Sequence, residues 1–174
     1  MRIGIITMHR VRNLGSSLQT YALQRKMFQL GYYAEIIDYS FPSSGKSRRS
    51  CVALSIKRTI VELIKCVLGI SDTKRNRKID EFLHEFVVCS EHEYDRDSIR
   101  NDTPQYDIYC TGSDQVWNPN HIKDDMTFFL DFAPDHCPKI SYAASFSIIL
   151  ASLSSKVSSL FWNNSSRLSI LDSL

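Results

Sequence analysis

The sequence predicts an α/β fold, a mostly parallel sheet flanked by helices. Three observations carry this. Ile3 to Met8 is a short isoleucine-rich apolar run, of the kind buried on both faces of a parallel sheet. A helical segment and a second short apolar run, Ala34 to Asp38, follow within about forty residues, which makes a βαβ unit. Strand-like and helix-like segments then keep alternating along the chain.

The elements are justified in order. After the first strand, His9 to Gly15 reads as a loop, with Asn13 and Gly15 as its turn residues. Ser16-Ser17-Leu18-Gln19 fits a capping box in which Ser16 caps and Gln19 reaches back. Leu18, Ala22, Leu23, Met27 and Leu30 form an apolar stripe at helical spacing, and Gly31 stands where a helix C-terminal glycine belongs. Ala34 to Asp38 is the second strand and Tyr39 to Ser50 a loop. Cys51 to Leu68 is helical, with Ala53, Ile56, Ile60, Ile64 and Val67 on one stripe; Lys74 to Val87 is helical on Ile79, Phe82, Leu83 and Phe86. Cys89 to Thr103 is acidic and polar, read as loop plus a short helix. Tyr106 to Thr111 is a strand that ends at Gly112. Met126 to Phe132 and Lys139 to Ser145 are further strands, the last leading into Phe146. From Ser147 to Leu174 the composition shifts to serine, with Lys156, Arg167 and Asp172 as the charges.

Composition narrows the function classes. The chain has 174 residues, 43% hydrophobic and 23% charged, ordinary values for one globular domain. A net charge of +2 gives no electrostatic footprint for nucleic acid. The cysteines Cys51, Cys66, Cys89, Cys110 and Cys137 are odd in number and make no CxxC pair, which points to reduced thiols in the cytoplasm. The N-terminal apolar run is too short for a signal peptide, and no run of about 18 apolar residues marks a membrane span.

Several motifs bear on chemistry. The strand–loop–helix at Ile3 to Gln19 puts a helix N-terminus at the carboxyl end of the first strand, where open α/β sheets bind ligands and anions are favoured. Its loop lacks GxGxxG, which argues against a dinucleotide cofactor. Ser44-Gly45-Lys46-Ser47 imitates the end of a P-loop, but Ser40 stands at the position of the first glycine. The histidines have no metal-ligand spacing; His9, at the ligand edge of the sheet, is a candidate proton carrier against the plainer reading of a loop histidine. The richest segment is YDIYCTGSDQVWN, Tyr106 to Asn118. After Gly112, where close backbone approach is possible, Ser113, Asp114, Gln115 and Asn118 offer a hydroxyl, a carboxylate and two amides beside Trp117. Sugars bind in such surroundings; a helix cap at Ser113 or Asp114 with Trp117 in the core is the plainer alternative.

Three segments in order, NLGSSLQTYALQ (Asn13 to Gln24) with EIIDY (Glu35 to Tyr39), then YDIYCTGSDQVWN, then FFLDFAP with KISYAASF (Phe128 to Phe146), resemble the polysaccharide pyruvyl transferases. The resemblance covers about residues 1 to 146. It implies a Rossmann-like domain, one half of a two-domain fold similar to the glycosyltransferase-B class. It implies transfer of the enolpyruvyl part of phosphoenolpyruvate to a sugar of a cell-surface polysaccharide or of a lipid-linked acceptor, leaving a pyruvate ketal on two hydroxyls and releasing phosphate. No cofactor beyond that donor substrate is implied, and no metal. Asn13, Gly15, Ser17 and Gln19 would line one rim of the interdomain cleft. Gly112, Ser113, Gln115, Trp117 and Asn118 would line the other, with Asp114 as contact to a sugar hydroxyl or as base. The donor-binding arginines and histidines of the family lie mainly in a second α/β domain that this sequence does not contain. Ser147 replaces the glycine that normally follows SYAASF. The expectation is an N-terminal domain over 1–146 and a divergent, poorly folding serine-rich tail over 147–174, as in a truncated or frameshifted product inactive alone. Alternatives are a non-catalytic remnant that binds sugar or a partner, and part of a nucleotide-sugar glycosyltransferase of similar fold.

Overall fold

The structure, a computed structural model, describes residues 1–11, 13–41, 72–118 and 125–145 and a strand at 169–170. Its elements are β1 (Arg2–Ile6), α1 (Leu14–Gln29), β2 (Tyr33–Tyr39), α2 (Asp72–Phe86), β3 (Cys89–Tyr94), α3 (Ser98–Asn101), β4 (Ile108–Thr111), a 3-10 turn (Thr127–Phe129), β5 (Lys139–Ser141) and β6 (Ser169–Ile170). The strands form one sheet in the order β3-β2-β1-β4-β5-β6, and every pair in it is parallel. The chain is therefore an α/β protein with a parallel, Rossmann-like sheet. The helix expected over 51–68 and nearly all of the serine-rich tail lie outside the described residues.

β1 is central. Ile3 pairs with Ala34 on one side and Ile108 on the other; Ile5 pairs with Ile36 and Cys110. Alternate residues face opposite sides of a sheet. Ile3, Ile5, Ala34, Ile36 and Cys110 pack with Leu23 and Met27 of α1, while Ile6, Ile37 and Tyr39 join Tyr109, Trp117, Phe128 and Leu130 in a second cluster. The connections run outward from β1 in both directions. Right-handed crossovers thus place α1 and α2 on one face, and α3 with the segment after β4 on the other. Edge contacts of Tyr21 with Phe82 (5.6 Å) and Phe86 (6.1 Å) tie α1 to α2.

α1 is built differently from its predicted form. Asn13, not Ser16, is the N-cap: its side chain accepts a hydrogen bond from the Gly15 N–H at 3.0 Å. The supposed stripe is also displaced, since Leu18 and Leu30 are exposed. The buried face is Ser16, Ser17, Thr20, Leu23, Gln24 and Met27. Small hydroxyl residues can be buried there because they satisfy themselves on the preceding turn. The Ser17 hydroxyl donates to Asn13 O at 3.1 Å and Thr20 to Ser16 O at 2.8 Å. Gln24 is fully buried; its Nε2 donates to Ala34 O (3.0 Å) and Val88 O (2.7 Å), and its Oε1 accepts from Val88 N (3.0 Å). The C-terminus matches expectation. Gly31 has φ +85°, and the N–H groups of Gly31 and Tyr32 return to Phe28 O and Met27 O, the paired bonds of a Schellman motif.

Two further expectations are corrected. Cys89 to Tyr94 is a strand, not a loop; it lies at the sheet edge, where the polar sequence CSEHEY leaves its middle exposed. Met126 to Phe132 is not a strand. It forms the 3-10 turn and a left-handed Leu130 at φ +59°, and its Phe128, Phe129, Leu130 and Phe132 fill the second cluster. Arg100 of α3 holds this segment with two bonds to Asp131, at 2.9 and 2.7 Å. Beneath it, the buried Asp125 accepts from Tyr39 Oη at 2.5 Å and from the Thr127 hydroxyl at 2.6 Å.

Candidate functional site

The crossovers change direction between β1 and β4, and the crevice beyond the carboxyl ends of two such strands is where an open α/β sheet forms its ligand site. Here the two strands are joined at that point. Gly112 N donates to Ile6 O at 2.8 Å, and the buried Thr7 hydroxyl donates to Ser113 O at 3.1 Å. A β-carbon on Gly112 would lie 3.1 Å from both Leu23 Cδ2 and Thr7 Cβ. A side chain there would make Leu23 and Thr7 give way by a few tenths of an ångström, so glycine eases the close approach of β4 to β1 and α1.

Asp114 follows. Its φ is +150°, a backbone region that residues with a β-carbon rarely enter. The backbone is fixed there because Asp114 O accepts from Ser145 N (2.9 Å) and from the Ser145 hydroxyl (3.2 Å), beside a parallel bridge to Ala144. The carboxylate is aimed by two donors. Ser16 Oγ, in the first turn of α1, donates to Oδ2 at 2.6 Å, and Gln115 N donates to Oδ1 at 2.7 Å. Asp114 is half-buried. Each oxygen has further lone pairs, so the group can accept from a hydroxyl brought to the crevice. Ser16 was legible in the sequence only as a cap; its pairing with Asp114 depends on the β1–β4 contact.

The other expected site residues divide. Asn13, Gly15 and Ser17 form the cap and first turn of α1, so their side chains serve the helix. Gln115 and Asn118 bond each other, Asn118 Nδ2 donating to Gln115 Oε1 at 3.2 Å. Trp117 lies in the core: it stacks on Phe129 at 5.5 Å and 8° and donates from Nε1 to Phe128 O at 3.1 Å. It presents no ring face at the crevice rim as a sugar platform. Gln19 and Ser113, by contrast, line one open groove, along α1 and just beyond β4.

His9 enters a different cluster. Its Nε2 lies 2.9 Å from Asp38 Oδ1 and its Nδ1 3.3 Å from Thr7 O. Asp38 also accepts two bonds from Arg10, at 2.6 and 2.8 Å, and Arg10 extends to Glu93 at 2.9 Å. Burial would push the Asp38 carboxyl up, but hydrogen bonds and charge from His9 and Arg10 outweigh it and hold the group well below the usual carboxylate range. The same contact with Asp38 raises Arg10 above its ordinary value. With both ring nitrogens engaged and the ring buried, His9 fastens the loop to β2. Among the described residues, no three His, Cys, Asp or Glu side chains come together as metal ligands. None of the described helices is long and apolar enough to cross a membrane.

Comparison with known proteins gives one result. The family model described as polysaccharide pyruvyl transferase matches residues 13–169. The match begins at the cap of α1 and runs past Phe146, where the resemblance visible by eye stops, as far as the first residue of β6. Neither the curated proteins nor the solved structures give a match.

Proposed function

Since this chain belongs to the polysaccharide pyruvyl transferase family, we propose that it is the acceptor-side half of an enzyme that moves pyruvate from phosphoenolpyruvate onto a sugar of a cell-surface polysaccharide. The observation that carries this is the Ser16–Asp114 pair at the crevice between β1 and β4. A carboxylate held rigidly at that edge suits the group that receives a proton from an attacking sugar hydroxyl.

The reaction balances as follows. The methylene carbon of phosphoenolpyruvate takes a proton and becomes a methyl group. A first sugar oxygen bonds to the adjacent carbon, and a second displaces phosphate from it, closing the ketal. The two hydroxyl protons replace the one taken by the methylene carbon and the one carried off with phosphate. Asp114 is assigned to the acceptor hydroxyl. Binding of the phosphate and carboxylate of the donor calls for several cations; the groups that bond the Asp114 carboxylate, Ser16 and Gln115 N, are neutral, and Lys26 in the adjoining groove is a single ammonium, so we assign the donor to another α/β unit.

The test is phosphate release from phosphoenolpyruvate with a sugar acceptor, by the chain alone and with a family donor-side domain supplied. Release that drops at least 100-fold in Asp114→Asn supports the reading. A folded chain that releases none in either setting, or an Asp114→Asn variant as active as wild type, would sink it.

A further inference from the structure

We infer that the open groove between α1 and the loops after β4 and β5 is a sugar site selective for an anionic sugar, one bearing a carboxylate or a phosphate. The groove has a volume of about 480 Å³ and is lined by Gln19, Leu23, Lys26, Ser113 and Tyr142 among others. That size lies within the range of small-molecule sites.

Three features of the groove point the same way. First comes position. Ser113 is the second residue past the carboxyl end of β4 and Tyr142 the first past that of β5, and Ser113 precedes Asp114, so the groove opens beside the crevice. Second comes the state of the polar groups. Around Asp114, the polar side chains of Asn13, Ser16 and Ser17 are committed to internal hydrogen bonds. Among the described residues, the side chains of Gln19, Lys26, Ser113 and Tyr142 have no hydrogen bond or ion pair, yet all four border one space. An amide, two hydroxyls and an ammonium are the donors and acceptors that sugar hydroxyls and one anionic group require. The Tyr142 ring and Leu23 supply an apolar backing for a sugar ring. Third comes charge. Among the described residues, Lys26 is the only charged residue of the lining, and no carboxylate opposes it. A neutral sugar would leave that ammonium unused, whereas an anionic one gains a charge-assisted bond.

The inference rests on the transferase reading for the choice of a sugar; the charge preference rests on the groove alone. The full chain, 15N-labelled, is titrated with glucose, glucuronate, glucose 1-phosphate and inorganic phosphate, following amide shifts. Glucuronate and glucose 1-phosphate are expected to move amides from Gln19 to Lys26 and at Ser113 and Tyr142, with binding about tenfold tighter than glucose. Lys26→Ala should abolish that difference and Lys26→Arg retain it, both with the dispersed spectrum of the folded chain. Equal affinity for glucose overturns the charge preference, and inorganic phosphate binding as tightly as glucose 1-phosphate overturns the sugar. Shifts confined to other surfaces, or none, overturn the site. Groove binding without any phosphate release from phosphoenolpyruvate would leave this inference standing and remove the transferase reading; release without groove binding would do the reverse.

Discussion

The ring of Tyr106 fills the space that a β-carbon on Gly4 would occupy: such an atom would lie 2.2 Å from Tyr106 Cδ2. The ring is held from both ends. Its hydroxyl donates to Glu35 at 3.0 Å, and the Arg2 guanidinium lies 5.4 Å from its centroid. Gly4→Ala therefore forces the ring off the central strand and is expected to cost about 1–3 kcal/mol. Chemical denaturation measures the loss. Adding Tyr106→Leu to the alanine variant should recover part of it, because the overlap is with the ring.

Gln24 joins α1 to β2 and to the residue before β3 through three hydrogen bonds. Gln24→Leu keeps the volume and leaves backbone groups of Ala34 and Val88 unpartnered. The expected loss is about 2–3 kcal/mol with an unchanged denaturant slope. A loss below about 0.5 kcal/mol would mean that water replaces the amide.

Asp38 gives the acid side of the stability curve a definite sign. Its carboxyl titrates well below the usual carboxylate range in the folded chain. The stability it contributes is complete above the unfolded value near pH 4 and is lost as pH falls through the lower folded value. Asp38→Asn should be less stable than wild type at pH 7 and should flatten the decline below about pH 4. Unfolding free energies at pH 7, 5, 4 and 3 check this; parallel curves for the two proteins would contradict it.

Asp114 separates backbone strain from side-chain bonding. At φ +150°, glycine fits without strain and alanine does not. Asp114→Gly and Asp114→Ala both lose the Ser16 bond, but only the glycine variant relieves the backbone, by about 1–3 kcal/mol. The expected order of urea midpoints is glycine above alanine. The opposite order would show that the tie to Ser145 sets this conformation at no cost.

How far the sequence reveals this molecule depends on the range of the interactions involved. β1, β2 and β4 were legible because strands buried on both faces carry apolar runs; β5 was expected over Lys139 to Ser145, but its sequence is Lys-Ile-Ser and it ends at Ser141. The Schellman end of α1 was legible because a left-handed position selects Gly31. β3 was not, since an edge strand can be polar and CSEHEY resembles a loop. The run from Met126 to Phe132 misleads in the opposite sense: its apolar residues are buried by aromatic packing around a 3-10 turn, and a short apolar run does not reveal which backbone carries it. α1 hides its buried face behind serine, threonine and glutamine, so an apolar stripe is sought on the wrong side. At the site, Asp114 and Ser113 stood out by their chemistry. Ser16 did not, because its partner is 98 residues away. For His9 the sequence left a proton carrier beside the plainer loop histidine, and the contacts to Asp38 and Thr7 that give it a structural place lie outside its local sequence pattern.

The path from β1 into the first turn of α1 is tied three times: Thr7 to Ser113, Ser16 to Asp114, and His9 to Asp38. Each tie selects a rotamer when the chain folds. Conformational entropy that a looser crevice would surrender on binding has therefore already been lost, and a sugar meeting this floor has only its own freedom, and that of whatever closes over it, left to give up. Affinity at this edge should thus respond weakly to changes that stiffen the domain further, and strongly to any that release one of the three ties.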